Sequence, residues 1–271
     1  EIELGLVGSE MCISDSIWLI QTNEGNTLVD PGDSEPIIST IDKLGITIDD
    51  ILITHHHFDH IGGLESLKPL IKGSVIGPKN NAIGLLDKQV SEGDVIKSIG
   101  LEFSVFEVPG HTLDHIAFYS ETEKEVLFCG DTIFSGGCGR VFEGTFEQMN
   151  HSLEKLTSLP SKTEIYCAHE YTLSNLKFAL LAEPKNLNLK EYQLNSTDKR
   201  KSNIPTIPTV VLTINLKVFL PAMSKSPCKT LFGIVNSVEI FPTKLLVPVL
   251  PGDGRYLYPL ANGSKIVPSI A

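Results

Sequence analysis

Residues 54–60 have the sequence Thr-His-His-His-Phe-Asp-His. They begin at the last residue of the apolar segment 50–54, for which we predict a strand. Within this stretch the candidate metal ligands are His55, His57, Asp59 and His60. Metal-binding histidine pairs on a helix stand at i and i+4, so the present spacing is better suited to a loop that wraps around two adjacent cations. We expect His56, the remaining histidine, to be a solvated side chain.

Three further chelating side chains each follow a predicted strand. They are His111 after strand 102–108, Asp131 after strand 125–129 and His169 after strand 164–167. Loops at strand ends are where folds of this class place their ligand-binding residues. Two cations that share one bridging carboxylate and one water need about this many ligands, so the inventory predicts a two-metal site.

Short apolar runs, turn signals and helical spacing alternate along the first 200 residues. The predicted strands are 17–22, 27–30, 50–54, 102–108, 115–120, 125–129 and 164–167, and the predicted helices are 34–44, 145–159, 171–181 and 186–196. For the first helix we expect an N-cap at Ser34 and termination at Gly45. This order of elements predicts an α/β (α+β) fold with a helical segment after the last His loop.

The charge of the chain argues against a nucleic-acid partner. The chain has 271 residues with 22 Lys and Arg, 33 Asp and Glu and a formal charge of −11, and 31 of the acidic residues lie in 1–200. Nonspecific nucleic-acid binding depends on neutralising phosphates with basic side chains. Residues 201–271 differ, since they hold nine of the 16 prolines and an excess of basic residues, and we assign them no structure.

The cellular setting is predicted from cysteines and hydropathy. Five scattered cysteines without a Cys-x-x-Cys pair indicate thiols in a reducing compartment. The N-terminal stretch has no basic region followed by a small-residue cleavage site, and no run approaches the ~18–20 apolar residues of a membrane span. We therefore expect a cytoplasmic monomer without a membrane partner.

Four motifs in the order found here resemble the metallo-β-lactamase superfamily. They are THHHFDHIGG, PGHTLDH, FCGDTIFSGG and CAHEYT. The stretches GGCGRVFEGTFEQM and CAHEYTLSNLKFAL resemble more specifically the hydroxyacylglutathione hydrolase, or glyoxalase II, family. The resemblance implies an αββα sandwich over 1–169 and a smaller, mainly helical substrate-binding domain over 170–271. Family-like sequence ends at about 202–220, which leaves 222–271 as an atypical Pro-rich tail.

The resemblance also implies how the ligands are divided. One metal goes to His55, His57 and His111, and the other goes to Asp59, His60 and His169. Asp131 bridges the two metals, so Asp59 and Asp131 are the catalytic carboxylates that hold them. The family implies two divalent ions, zinc first, with iron or manganese as alternatives; nitrogen and oxygen donors are compatible with all three.

The substrate implied by the resemblance is a glutathione thioester. Matching positions give Arg140, Phe142 and Tyr171 as the residues that bind the glutathione moiety. The implied reaction is hydrolysis of S-(2-hydroxyacyl)glutathione, chiefly S-D-lactoylglutathione, to glutathione and D-lactate, which removes methylglyoxal. Two cations lower the pKa of a shared water toward ~7, and the resulting hydroxide attacks the thioester carbonyl.

Two positions depart from the family pattern. Asp114 replaces the second Gly of Gly-His-Thr-x-Gly-His, and we expect its carboxylate either to perturb the ligand set or to face solvent. Pro221 stands where the family has an Arg that helps bind glutathione, which predicts weakened substrate affinity. The sudden loss of resemblance after Pro221 favours the hypothesis of a frame-shifted or alternatively spliced coding end.

Two other functions remain open at this stage. One is a glutathione persulfide dioxygenase of the same fold, with a single iron on a 2-His-1-carboxylate site; His115 and the helical stretch 171–200 favour the hydrolase instead. The other is a metal-binding homologue whose altered tail has impaired catalysis. RNA-processing relatives also carry the His-x-His-x-Asp-His motif, but the acidic charge disfavours them.

Overall fold

The computed structural model describes residues 3–7, 16–121, 125–201, 258–259 and 265–266. The strands are β1 (Glu3–Val7), β2 (Ile17–Thr22), β3 (Gly25–Val29), β4 (Asp50–Leu52), β5 (Val75–Pro78), β6 (Lys88–Val90), β7 (Val95–Ser98), β8 (Leu101–Glu107), β9 (Ile116–Glu121), β10 (Glu125–Gly130), β11 (Ile133–Phe134), β12 (Gly137–Cys138), β13 (Glu164–Cys167), β14 (Tyr258–Pro259) and β15 (Lys265–Ile266). The helices are α1 (Glu35–Leu44), α2 (Phe58–Ile61), α3 (Leu64–Leu67), α4 (Phe146–Thr157), α5 (Thr172–Ala182) and α6 (Leu187–Lys201), with a short 3-10 helix at Lys68–Leu70.

Two mixed sheets form the core of the fold. The first has the order β1-β2-β3-β4-β5-β6, antiparallel from β1 to β3 and parallel from β3 to β6. The second has the order β13-β10-β9-β8-β7 and is antiparallel except for the parallel pair β10 and β13. Strands β8, β10 and β13 therefore run in one direction, and their carboxyl ends lie at the same edge.

The two sheets pack face to face because their strands alternate apolar residues. In β8 the inward positions Leu101, Phe103 and Val105 are buried and the alternate positions are not. They join one buried cluster with first-sheet residues such as Trp18 and Leu52. Burial of each such side chain contributes about 1.5–3 kcal/mol before entropy is subtracted, so this shared interior holds the sheets together.

Helices cover the two outer faces. On the second sheet, α4 buries Met149, Leu153 and Leu156, which are spaced for one helical face. On the first sheet, Ile37 of α1 packs in one buried cluster with residues of α3 and of β2 to β5. The layer order is therefore helix, sheet, sheet, helix. Helices α5 and α6 follow β13 and pack against each other around Leu176.

Most predicted elements of the described region are confirmed to within a few residues. The first helix ends at Gly45 in the left-handed conformation, as expected. Its start differs, because Ser34 makes no side-chain cap and Asp33 Oδ1 accepts the Glu35 N–H at 3.0 Å instead. The prediction did not include strands β1, β5 to β7, β11 and β12, and residues 58–61, for which a loop was predicted, form the helical turn α2.

The loops with chelating side chains lie at one edge of the sandwich. They follow the carboxyl ends of β4, β8, β10 and β13. The sheets are tied together there, since the Ile116 N–H donates to the Thr54 carbonyl at 2.9 Å and the Trp18 indole donates to the Cys167 carbonyl at 3.1 Å. In the described part of the chain, no helix has the length and apolar character needed to cross a bilayer.

Candidate metal centre

Four loops bring the seven predicted ligands to this edge. Six of these side chains fall into two groups of three, which we call the first group (His55, His57, His111) and the second group (Asp59, His60, His169). Within each group the candidate ligand atoms lie within 4.8 Å of one another. All of these side chains are buried except those of His57 and Asp59, which are partly exposed.

Asp131 lies between the two groups. Its Oδ2 atom is 3.3 Å from His111 Nε2 of the first group. Its Oδ1 atom is 3.4 Å from His60 Nε2 and 3.2 Å from His169 Nε2, both of the second group. The carboxylate therefore directs one oxygen to each group.

Several buried polar atoms at the centre of the site have no hydrogen-bond partner among the residues that the structure describes. They are His55 Nε2, His60 Nε2 and Asp131 Oδ1. Buried polar atoms are nearly always satisfied, because leaving one unpaired costs free energy. Bare imidazole nitrogens and a carboxylate oxygen directed to one place are the donors that divalent cations take, so these residues fit a pair of metal ions.

Hydrogen bonds behind the imidazoles determine which nitrogen faces the centre. His60 Nδ1 lies 2.9 Å from Asp30 Oδ2, and His111 Nδ1 donates to the Arg140 carbonyl at 2.7 Å. The Thr54 hydroxyl donates to Asp30 at 2.7 Å and so accepts from His55 Nδ1 at 3.1 Å. In all three rings Nδ1 carries the proton of this bond, so Nε2 is the nitrogen that faces the ligand position.

The pKa values of the first-group histidines and of Asp131 favour the ligating forms. Burial holds the pKa of His55 well below its usual value and lowers that of His57 to about 4. Burial likewise lowers the pKa of His111. Although burial alone raises the pKa of Asp131, the imidazoles of His169 and His60 outweigh it and hold that pKa well below the usual value. Neutral imidazoles and an ionised carboxylate are the forms that bind cations.

The pKa of His60 differs from that of the first-group histidines. Burial alone lowers it, but the carboxylates of Asp30 and Asp131 outweigh burial and raise it well above the usual value. The backbone of Asp30 is unusual as well, because this buried residue has φ of 51°. A strained, buried carboxylate directly behind a ligand is typical of a functional site. In the sequence, the turn signal Asp30-Pro31-Gly32-Asp33 was all that marked Asp30.

The three predicted substrate residues lie beside the two groups. The Phe142 ring packs edge-on against His57 and His111, with centroids 5.5 and 5.2 Å apart, and the Arg140 guanidinium carbon is 4.9 Å from the Phe142 ring centre. Tyr171 stacks on His169 at 5.2 Å. One aromatic side chain thus flanks each group.

Sequence reasoning missed two buried rings of the site. Phe134, on β11, packs edge-on against both His169 and Tyr171. His115 stacks on His55 at 4.5 Å, and its Nε2 accepts the Asp131 N–H at 3.0 Å. Burial lowers the pKa of His115 to about 3, so the ring stays neutral and accepts this bond. The sequence analysis placed His115 at the start of a predicted strand and Phe134 in no predicted element, and it indicated neither set of contacts.

The environments of His56 and Asp114 differ from those expected from the sequence. His56 is not fully solvated, since its side chain is 24% exposed and Nδ1 lies 2.9 Å from Asp114 Oδ1. Asp114 neither joins the ligand groups nor faces solvent, because its side chain is 8% exposed and turned to His56. Burial alone raises the pKa of Asp114, but bonds from Thr112, Asn80 and His56 outweigh it and lower that pKa.

The chain is similar to a well-defined set of known proteins. Residues 13–169 match the family model described as metallo-beta-lactamase superfamily, and residues 170–220 match the one described as hydroxyacylglutathione hydrolase C-terminus. The hydroxyacylglutathione hydrolase of Pseudomonas aeruginosa (strain LESB58) is 46% identical over 214 residues, which cover 78% of this chain and 83% of that protein. The chain belongs to the hydroxyacylglutathione hydrolase family. This confirms the family, the metallo-β-lactamase fold and the enzyme class predicted from the motifs.

Two further proteins are similar to this chain. The hydroxyacylglutathione hydrolase of Aliivibrio salmonicida (strain LFI1238) is 48% identical over 225 residues, covering 82% of this chain and 87% of that protein. A solved structure described as TTHA1623 in a di-iron-bound form has 29% sequence identity and a TM-score of 0.50, covering 58% of this chain and 88% of that chain. The family relatives extend over the helical segment as well as the two sheets.

Proposed function

We propose that this member of the hydroxyacylglutathione hydrolase family cleaves the thioester of S-(2-hydroxyacyl)glutathione, chiefly S-D-lactoylglutathione. Water adds to the acyl carbon and the carbon–sulfur bond breaks, which gives D-lactate and the thiol of glutathione. The observation that carries the proposal is the Asp131 carboxylate with one oxygen toward each ligand group. The cellular role that follows is detoxification of methylglyoxal.

The metal cofactors are part of the proposal. The first group would hold one divalent cation, the second group the other, and Asp131 both. When bound, two such cations supply a water of lowered pKa and a Lewis acid for the thioester carbonyl. Nitrogen and oxygen donors suit zinc, iron and manganese; the relative described as di-iron-bound supports iron among these, and we propose zinc as the usual occupant.

The remaining chemistry is assigned to this chain's own side chains. Asp59 and Asp131 would supply negative charge that offsets the charge of the cations, which lowers the cost of holding the cations in a largely buried site. The Nδ1 bonds of His55, His60 and His111 keep their rings in one orientation, so little reorganisation is needed during reaction. The thiol of glutathione has a pKa of about 8.5, and the thiolate leaves without a protein acid.

Substrate binding is assigned to the residues beside the two groups. The Arg140 guanidinium is placed to pair with a glutathione carboxylate, since its fork of donors matches that geometry. Phe142 has 45% of its surface exposed and offers an apolar wall next to His57. Tyr171 begins the helical segment next to His169 and presents its ring beside the second group.

The division into domains is also proposed, with the catalytic domain at 1–169 and the substrate-binding domain at 170–271. In support, the helical segment makes specific contacts with the loop that leads to Arg140. Asn175 Nδ2 donates to the Ser135 carbonyl at 3.1 Å, and the hydroxyls of Ser135 and Tyr192 are 2.9 Å apart. Pro221 lies outside the described residues, and the described part of the tail 222–271 is the strand pair β14 and β15.

We further propose that the enzyme acts as a monomer in the cytoplasm. One chain supplies both ligand groups and the flanking aromatic residues. Cys129 and Cys167 are buried thiols rather than disulfides, and burial raises the pKa of Cys167 to about 12. Protonated, buried thiols of this kind suit a reducing compartment.

The test measures product and metal on the same sample. Purified protein is incubated with S-D-lactoylglutathione, and D-lactate and free thiol are quantified beside an elemental analysis. We expect the two products in equal amounts and about two metal ions per chain, as the two groups require. Oxygen consumption with glutathione persulfide and no thioester cleavage would instead indicate the dioxygenase. Two bound metals without either activity would indicate a catalytically impaired homologue.

A further inference from the structure

A hydrogen-bonded cluster beside the first group has no part in the proposed chemistry. Its centre is the Asp114 carboxylate, which is buried. Asp114 Oδ1 accepts from Thr112 Oγ1 at 2.6 Å and from His56 Nδ1 at 2.9 Å. Asp114 Oδ2 accepts from Asn80 Nδ2 at 2.8 Å. A buried carboxylate with three donors is satisfied and keeps those donors in one arrangement.

His56 faces a second carboxylate as well. Its Nε2 atom is 3.3 Å from Glu143 Oε1, and Glu143 Oε2 accepts the Leu113 N–H at 2.9 Å. The His56 ring therefore stands between Asp114 and Glu143. One imidazole thus joins the loop after β4, the loop before β9 and the loop before α4.

The joined loops carry residues of the proposed active site. His56 precedes His57, and their rings are edge-to-face with centroids 5.2 Å apart. Glu143 follows Phe142, whose ring contacts His57. The Phe142 and Glu143 N–H groups both point to the His111 carbonyl, at 3.1 and 3.3 Å. Displacement of the His56 ring would move the metal-ligand loop and the apolar wall relative to each other.

We propose that Asp114 is a positioning residue that, through His56, holds His57 and the segment 142–143 against each other and so shapes the side of the site that receives glutathione. Asp114 itself reaches neither ligand group, because its oxygens are taken by the three donors. The inference deepens the proposed function and rests on it. Its effect falls on substrate binding rather than on the supply of ligands.

The first experiment compares D114A with wild-type protein and with E65A, which alters an exposed carboxylate on the nearby helix α3. We expect D114A to raise KM for S-D-lactoylglutathione about tenfold with kcat roughly retained, which is the mark of lost ground-state binding. Metal content should be unchanged. Calorimetry with glutathione alone should show a matching loss of affinity, and E65A should behave as wild type.

A double-mutant cycle tests the route through His56. If Asp114 acts through this ring, H56A should reproduce the KM of D114A, and the double variant should be no worse than either. The conservative D114N keeps one acceptor and should give an intermediate KM. It also serves as the test variant if D114A does not fold.

Three results would overturn the proposal. They are a wild-type KM and glutathione affinity in the Asp114 variants, additive effects of D114A and H56A, or loss of metal and thermal stability with KM unchanged. Failure of the proposed function is distinguishable, because the wild-type protein itself would then release no D-lactate. In that case the glutathione calorimetry of D114A and D114N still decides the positioning role.

Discussion

The first and second groups are alike in size but differ in charge. The first group is made of three imidazoles, all with lowered pKa values, and contains no carboxylate. The second group contains the Asp59 carboxylate, and its His60 is backed by the Asp30 carboxylate at 2.9 Å. Attraction of a divalent cation grows with the negative charge of the site, so the second group should hold its metal more tightly.

Because of this difference, the two groups depend to different degrees on the charge of Asp131. The first group has no carboxylate of its own, and Asp131 supplies it with a negative charge, its Oδ2 atom lying 3.3 Å from His111 Nε2. For the second group, Asp131 adds to a carboxylate already present. The two proposed metal positions are therefore electrostatically unequal, and each can be perturbed separately.

The largest effect is expected from removing the shared charge. D131N keeps the shape of the side chain but loses the charge that faces both groups. We expect both metal positions to be damaged together and activity to fall by well over ~10²-fold, since a major electrostatic stabiliser is lost. Elemental analysis and thioester turnover measure both. D42N, at an exposed position of α1, is the matched control, and near-normal turnover with two metals in D131N would refute the bridging role.

A ligand removed from one group should spare the other. H57A takes a partly exposed imidazole from the first group, and we expect about one metal ion per chain to remain because the second group keeps its own carboxylate. Activity should fall by roughly 10²-fold, as for the loss of one stabilising group. Titration with a chelator should then show one release step where the wild-type protein shows two. Equal loss of both ions from H57A would show that the groups are not independent.

Loss of a hydrogen-bond partner behind a candidate ligand should reduce metal affinity less than loss of the ligand itself. D30N weakens the bond to His60 in the second group and the bond to Thr54, which orients His55 in the first. Replacement of such an outer partner typically costs 10- to 100-fold in metal affinity or activity, and we expect about that loss here. The measurement is metal affinity by competition, with D33N in the adjacent turn as control; full affinity in D30N would contradict the prediction.

The smallest effect is expected at the substrate side of the first group. R140A removes a guanidinium that packs on Phe142 while leaving the Arg140 carbonyl to accept from His111. Loss of one charge-assisted contact removes ~1.5–3 kcal/mol, so KM should rise about tenfold to a hundredfold with kcat retained. R140K should recover part of the loss. A lowered kcat at unchanged KM would place the residue in the chemistry rather than in binding.

Local signals in the sequence were enough to predict most of the strands of the two sheets and to place the seven candidate ligands at strand ends. The spacing from His55 to His60 lies within one loop, and the alternation in β8 lies within one strand, so each is visible without knowledge of its neighbours. The helical turn α2 was not predicted, because a segment of four residues is too short for its periodicity to distinguish a helix from a loop.

Contacts between segments that are far apart in the chain could not be predicted from such local patterns. Asp30 and Thr54 are 24 residues apart, and His56 and Asp114 are 58 apart, yet each pair lies at hydrogen-bond distance. Which loops meet at the sheet edge depends on the order of strands in both sheets and on their packing across the shared core.

The amino-acid sequence by itself determined the family, the donor atoms and the places in the chain where they occur. Only the tertiary structure decided which nitrogen of each imidazole faces the centre and which oxygen of Asp131 faces which group. It also decided that Asp114 is directed to His56 rather than to the two groups of candidate ligands. The physical reason is that a buried polar group takes its orientation from the partners that desolvation forces it to find, and the folded chain supplies those partners from distant segments.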